Sequence, residues 1–288
     1  MISMPGMMDS ILNIGLNDDN VQSLAKAFND ERFALDSYRR LIQMYSNVVL
    51  GVEMDRFEAV IANKKRMDNV TSDADFNVDQ LEWIINAYKN TVERFTNSPF
   101  PQDPHEQLLG AIEAVFSSWQ NKRAITYRKI NNIPDSLGTG ATIQTMVFGN
   151  LNDKSGTGVA FTRNPSNGSK ELYGEYLINA QGEDVVAGIR TPHPIKNDDS
   201  VEQESLESKF PNAYKEIKEI TSKLEKHFKE VQDLEFTIEN EKVYLLQTRK
   251  AKRTAQASIK IAIDLHNEGI TTKEESLRFS ILGYSQDI

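Results

Sequence analysis

The chain contains no cysteine. Disulfide cross-links, thiolate nucleophiles and cysteine metal sites are therefore excluded, and compartment cannot be read from thiol usage. Histidine is scarce as well. His105, His193, His227 and His266 are scattered, and no two stand at metal-ligand spacing. No apolar run approaches the roughly 18 residues of a membrane helix, and no signal-peptide pattern is present. The expectation is a cytosolic chain without a membrane partner. Positive charge is in deficit: 33 Lys and Arg stand against 42 Asp and Glu, a formal net charge of −9. That balance argues against a nucleic-acid partner, which calls for a basic face. It does not argue against a nucleotide, which needs only a few local cations.

What is present describes a globular chain. With 288 residues, 39% hydrophobic and 26% charged, there is material for one large domain or two. Residues 20–120 read as helices. Val21 to Phe28 is short; Glu31 to Tyr45 carries Phe33, Leu41, Ile42 and Tyr45 at helical spacing; Met54 to Met67 ends in Lys64, Lys65 and Arg66, where cations suit the helix dipole. Asp79 is the expected N-cap of a helix bearing Trp83, Ile84, Ala87, Tyr88, Thr91 and Phe95, and Glu106 to Trp119 forms a further amphipathic helix. From about 130 the pattern changes to strands with glycine punctuation: Ala141 to Phe148, Val159 to Arg163 and Leu172 to Ile178. Asp198 to Glu204 reads as an exposed acidic loop. Leu206 to Phe228 reads as one long helix or two, and Thr254 caps a helix that Gly269 ends.

The stretch richest in chemistry is Asp233-Leu-Glu-Phe-Thr-Ile-Glu-Asn-Glu-Lys-Val-Tyr-Leu-Leu-Gln-Thr-Arg249. Leu234, Phe236 and Ile238 alternate with Asp233, Glu235, Thr237 and Glu239, the period of a half-buried strand. Asn240-Glu241 supplies a hairpin turn. On the second arm, strict alternation puts Tyr244 and Leu246 on one face and Val243, Leu245, Gln247 and Arg249 on the other. Two carboxylates on one strand, beside a Gln and an Arg on its partner, can hold Mg²⁺ together with a polyphosphate. The same alternation also describes the solvated face of an ordinary sheet. Likewise Ser155-Gly-Thr-Gly158 can bring backbone N–H groups to phosphate oxygens, or can be a plain hairpin. Gln181-Gly-Glu-Asp184 can offer carboxylates to a ribose or a metal, or can be a turn.

Taken together the motifs are more specific. Ser3-Met-Pro-Gly-Met-Met-Asp9, Gln144-Thr-Met-Val-Phe-Gly-Asn150, Ser155-Gly-Thr-Gly-Val-Ala-Phe-Thr-Arg-Asn-Pro165, the run Tyr173 to Pro192 around Gln181-Gly-Glu-Asp184, Asp233-Leu-Glu-Phe-Thr and Leu246-Gln-Thr-Arg249 closely resemble pyruvate, phosphate dikinases. The resemblance runs from Ser3 to about Glu275. It implies an α+β, partial ATP-grasp fold with a helical insertion. The implied organisation is an opening loop of the nucleotide lobe at 1–19, the helical insertion at 20–120, part of the first lobe at 121–150, the second lobe with its metal and phosphate hairpin at 151–253, and a C-terminal helix and tail at 254–288.

Such enzymes convert ATP, phosphate and pyruvate to AMP, pyrophosphate and phosphoenolpyruvate with Mg²⁺, through a phosphohistidine carrier. The resemblance implies that Asp233 and Glu235 bind the metal and that Gln247 and Arg249 contact the polyphosphate as catalytic groups. Thr157 belongs to a loop over the terminal phosphates. Gly6, Met8, Gln144 and Met146 approach the nucleotide, Glu183 and Asp184 lie near the ribose, and Arg40 is a further match. Several family features are missing: the upstream segment with a glycine-rich loop, a lysine and an arginine; the Thr-Cys-His carrier; and the phosphoenolpyruvate/pyruvate barrel. Gly140-Ala-Thr-Ile143 and the tail from Ser276 also depart from the pattern. The expectation is a part of the enzyme, from a truncated or split gene, inactive alone and dependent on the carrier and barrel domains as partners. The other readings are a non-catalytic binding module of a split enzyme, or a fragment of a phosphoenolpyruvate synthase-like dikinase.

Overall fold

The computed structural model describes residues 2–284 except Ser3, Pro5, Ile189 and 198–202. Two residues of the opening motif, one of the Tyr173–Pro192 run and most of the expected acidic loop thus lie outside the described residues. The chain divides into two compact units, Met1–Met146 and Val147–Ile288.

The first unit is helical: α1 (Val21–Phe28), α2 (Glu31–Val48), α3 (Met54–Asp68), α4 (Val78–Thr96), α5 (Pro104–Ser118) and α6 (Lys122–Ile130). Helix α2 is its axis, and Phe33, Leu41, Ile42 and Tyr45 are all buried as their spacing predicts. Asp30 caps it, its carboxylate accepting from the Phe33 N–H at 2.8 Å. Helices α1, α3 and α4 end on Asn29, Asn69 and Asn97 in the left-handed conformation, a role open to Asn because its short polar side chain tolerates positive φ.

Helix α4 begins differently from the expectation. Its cap is Asn77, not Asp79: Asn77 Oδ1 accepts from the Gln80 N–H and Gln80 Oε1 accepts from the Asn77 N–H, each at 2.9 Å. This reciprocal box leaves Asp79 in the first turn, where a negative charge favours the positive helix end. The buried stripe shifts with it to Leu81, Ile84, Ile85, Tyr88 and Val92. Trp83 and Phe95 stay largely exposed, covered instead by Lys64 and Arg56 at 4.9 and 5.0 Å from their ring centres. Helix α6 has little apolar stripe and was not expected. Its buried Arg128 lies over the Trp119 ring at 4.0 Å and bonds the Asp135 carboxylate at 2.6 Å.

A buried charge cluster sits on α2. Asp36 accepts from Arg39 Nε at 2.8 Å and from Arg40 Nε at 3.1 Å. Burial opposes its charge, but the two guanidinium groups outweigh burial and hold the carboxyl well below the usual carboxylate range.

The second unit is an antiparallel sheet backed by helices. Strands β1 (Gly156–Phe161), β2 (Tyr173–Ile178), β3 (His193–Pro194), β4 (Gln232–Glu239) and β5 (Lys242–Lys250) stand in the order β3-β2-β1-β4-β5. Helices α7 (Gly182–Ala187), α8 (Leu206–Lys209), α9 (Pro211–Phe228), α10 (Ala255–Asn267) and α11 (Lys273–Tyr284) complete it. Pro211 opens α9, so the expected long helix is two. One sheet face buries Ala160, Tyr176, Leu234, Phe236 and Ile238 against Phe210, Ala213 and Ile217. Thr254 caps α10, accepting from the Ala257 N–H at 3.1 Å, and Gly269 follows at φ +71, both as expected. The strand expected over Ala141 to Phe148 is not formed. Ile143 is 68% exposed and the stretch pairs with no strand among the described residues, and alternation without a hydrogen-bonding neighbour does not make a sheet.

The Asp36 cluster makes a prediction about acid stability. Because the folded carboxyl titrates below its ordinary value of 3.8, its contribution is complete above that pH and is lost as the pH falls through the folded value. Asp36→Asn, which removes the negative charge shared by two guanidinium groups, should cost about 3 kcal/mol at neutral pH and flatten the acid limb of the unfolding curve. Urea midpoints for wild type and variant that fall in parallel between pH 4 and 2 (about ordinary carboxylate values) would contradict this.

Candidate functional site

The hairpin β4–β5 forms where alternation predicts, and its turn residues Asn240 and Glu241 both take positive φ, the backbone of a tight right-twisted hairpin. Its second arm departs from strict alternation. Glu235 pairs with Gln247 but Phe236 pairs with Leu245, so Leu246 is an extra residue on β5, a β-bulge. One added residue exchanges the faces beyond it. Val243 and Leu245 stay with the core, whereas Gln247 and Arg249 turn to the face of Tyr244 and the two carboxylates. The expected grouping of Gln247 and Arg249 with Val243 and Leu245 is therefore corrected.

Cross-strand pairing arranges that face in rows. The first row is Tyr173, Phe161, Asp233 and Arg249, the second Glu175, Val159, Glu235 and Gln247, and the third Leu177, Thr157, Thr237 and Tyr244. Glu175, Glu235 and Gln247 in the second row are exposed or half-exposed, while Leu177, Thr157 and Thr237 in the third are buried. The second row thus opens onto solvent, whereas Asp233 in the first is buried. Arg249 spans the two rows: its Nε donates to Asp233 Oδ2 at 2.7 Å, and its Nη1 lies 3.7 Å from Glu235 Oε1. Two adjacent carboxylates repel, and a guanidinium between them offsets that repulsion. Among the described residues no three His, Asp or Glu side chains form a metal cage. The donor set is instead two carboxylates, the number a Mg²⁺ ion uses when waters and substrate phosphates fill the rest of its shell. Glu175 and Tyr244, on the same face, were not singled out by sequence; Tyr244 was hidden because the bulge breaks the phase that would have grouped it with Arg249.

Thr157 is not in a loop. It lies within the central strand β1, and its hydroxyl donates to the Phe236 carbonyl at 3.1 Å. The flanking glycines answer to packing. A Cβ at Gly158 would sit 2.6 Å from the Glu175 carbonyl and 2.6 Å from the Phe236 ring, and one at Gly156 would sit 2.7 Å from the Leu177 carbonyl. Glu183 and Asp184 open α7, and Asp184 Oδ2 accepts from the Gln181 N–H at 2.8 Å, so that carboxylate caps its own helix.

The remaining expected contacts lie in the first unit. Gly6 is exposed at φ +67 in a turn closed by Met7 N–H to Met4 O at 3.2 Å. Met8 is half-buried, its sulfur accepting from Ser118 Oγ at 3.6 Å, and Asp9 pairs with Arg123, which fixes this turn on α5 and α6. Gln144 is exposed and Met146 half-exposed, on chain that is neither helix nor strand. Arg40 is held by Asp36 inside the cluster on α2.

Comparison with known proteins supplies the family. A family model of the pyruvate phosphate dikinase AMP/ATP-binding domain matches residues 1–212 and 194–269. The chain belongs to this family. The pyruvate, phosphate dikinase of Clostridium symbiosum is 54% identical over 276 residues, and that of Rhizobium meliloti (strain 1021) 52% over 279, each match covering 96% of this chain. The chloroplastic pyruvate, phosphate dikinase of Mesembryanthemum crystallinum is 50% identical over 269 residues, 93% of this chain. The chain spans 31% of the length of the two bacterial dikinases and 27% of the plant one. The dikinase match takes in both units and the whole of the β4–β5 hairpin. Among the described residues no helix is long and apolar enough to cross a membrane.

Two variants probe this geometry. Deleting Leu246 restores straight pairing and drives Arg249 toward the apolar face, which should cost about 3 kcal/mol in urea unfolding; unchanged stability would mean that the bulge does not set the face. Gly158→Ala should cost about 1–3 kcal/mol from overpacking. A variant of wild-type stability that has lost nucleotide binding would return the Gly-Thr-Gly run to a phosphate role.

Proposed function

We propose that the β4–β5 face bearing Asp233, Glu235, Gln247 and Arg249 binds a Mg²⁺–nucleotide polyphosphate, and that the chain is the ATP/AMP-binding part of a pyruvate, phosphate dikinase with an ATP-grasp architecture. The observation that carries this reading is the contact of Arg249 with both the buried Asp233 and the half-exposed Glu235 on one sheet face, beside the exposed Gln247. Asp233 and Glu235 would hold the metal. When bound, Mg²⁺ would neutralise phosphate charge and fix the polyphosphate in one orientation. Arg249 offers a planar fork to phosphoryl oxygens, and its contacts with the carboxylates keep it aimed at the face before any ligand arrives. Gln247 adds an uncharged donor and acceptor next to it. Phosphoryl transfer depends mainly on positioning and charge neutralisation, so a chain without cysteine is suited to it.

The base and ribose side of the nucleotide we assign, on the family resemblance, to Gly6, Met8, Gln144, Met146 and Glu183. Asp184 is engaged in capping α7 and Thr157 in the sheet, so neither is retained as a ligand contact. The whole reaction would take ATP, phosphate and pyruvate to AMP, pyrophosphate and phosphoenolpyruvate in the cytosol. The carrier histidine and the pyruvate site would come from sequence beyond this chain. On its own the chain would bind nucleotide without completing the cycle.

Calorimetric titration with ATP, with and without Mg²⁺, tests this directly. Arg249→Ala should weaken Mg-ATP binding at least ten-fold, about 1.4 kcal/mol. Asp233→Asn with Glu235→Gln should abolish the gain that Mg²⁺ gives. Wild-type affinity and Mg²⁺ dependence in both variants would refute the assignment.

A further inference from the structure

A second polar cleft lies elsewhere in the sheet unit. One wall is a single face of α9, where Tyr214, Lys218, Ser222 and Lys226 follow at four-residue steps. Lys170, before β2, and Lys196, after β3, come from the other side. The cleft is half open to solvent, with Lys218, Ser222 and Lys226 exposed along it, and its volume of about 560 Å³ is within the range of small-molecule sites.

Its charge is uneven because the carboxylates in its lining are already engaged. Glu225 and Glu268 each give both oxygens to the fully buried Arg163: Glu225 at 3.0 Å from Nε and 3.0 Å from Nη2, Glu268 at 3.0 Å from Nη1 and 2.9 Å from Nη2. Lys170 adds a further bond to Glu268 at 2.8 Å, and Lys196 meets Glu171 at 3.3 Å. Burial works against the charge of Glu268, yet the bonds from Arg163 and Lys170 keep its carboxyl below the ordinary range. Lys218 and Lys226 have no ion pair among the described residues. Four lysines line the cleft against three carboxylates, with Glu207 a further acidic group near Tyr214, on a chain whose net charge is −9. The Tyr214 hydroxyl has no hydrogen-bond partner among the described residues, and burial pushes it up, so it remains a proton donor at neutral pH.

We propose that this cleft is a second anion site, for a small phosphate compound carrying at least two negative charges, gripped by Lys218 and Lys226 with Tyr214 as a neutral donor. Ammonium groups act as point charges toward phosphate and need no bidentate geometry. The volume of about 560 Å³ favours a small molecule over an extended acidic peptide. The proposal stands apart from the β4–β5 reading, since it uses none of that face.

The test is titration of inorganic pyrophosphate into the full chain carrying Arg249→Ala, which removes the guanidinium of the other face. Saturable binding is expected. It should weaken at least ten-fold in Lys218→Glu with Lys226→Glu, and fall steeply with added salt. Lys218→Gln with Lys226→Gln should weaken it several-fold with an unchanged melting temperature, separating ligand contact from folding. A sugar bisphosphate run in parallel sorts the source: binding of both points to phosphate esters, binding of pyrophosphate alone to an inorganic anion. No saturable binding at millimolar pyrophosphate, or equal affinity in the charge-reversed chain, overturns the proposal.

Discussion

Arg249 reaches Asp233 and Glu235 because β5 carries one residue more than the strand it faces. Without Leu246 as the extra residue, the alternation that buries Val243 and Leu245 would bury Gln247 and Arg249 with them. A guanidinium forced among Leu234 and Phe236 would lack a partner, and burying an unpaired charge costs several kcal/mol. The bulge resolves that conflict. It lets one strand supply core residues near the turn and polar groups beyond it, and it assembles an arginine, a glutamine and two carboxylates on one side of a sheet.

The rest of the second unit keeps that sheet in place. Gly156 and Gly158 leave room for the carbonyls of β2 and the Phe236 ring, so β1 packs closely between β2 and β4. At the other end of β1, Arg163 ties α9 to the end of α10 through two carboxylates. Phe161, Val231 and Ala251 pack on Ala257, Ile261 and Leu265, which fixes the strand ends beside Asp233 and Arg249. Such a rigid frame is what a charged site requires, because groups already oriented need no reorganisation when a ligand binds. The family match covers this frame and the helical unit alike, in keeping with a nucleotide-binding role for the chain as a whole.

Much of this was legible in the sequence, for identifiable reasons. Helices α1 to α5, the cap of α10 and the β4–β5 hairpin follow from periodicity and turn chemistry, which are local. What failed was non-local. The exchange of faces at Leu246 leaves no trace in composition, because a bulge is defined by its partner strand. Thr157 reads as a loop residue when its glycines are taken as phosphate-binding, yet they serve the approach of β2 and Phe236. Ala141 to Phe148 alternates like a strand but has no strand beside it. At α4, Asp79 and Asn77 are both good caps, and only the reciprocal bond with Gln80 separates them. The motif resemblance supplied the family, while the side on which Arg249 stands could come only from coordinates.

The central claim is that the face bearing Asp233, Glu235, Gln247 and Arg249 receives a metal–nucleotide complex. Replacing Mg²⁺ by paramagnetic Mn²⁺ with ATP, and following amide signals across the isotope-labelled chain, tests it most directly. Broadening should centre on residues 233–235 and 247–249 and spare the outer face of α9. Broadening centred elsewhere, with the β4 and β5 signals untouched, would contradict the account.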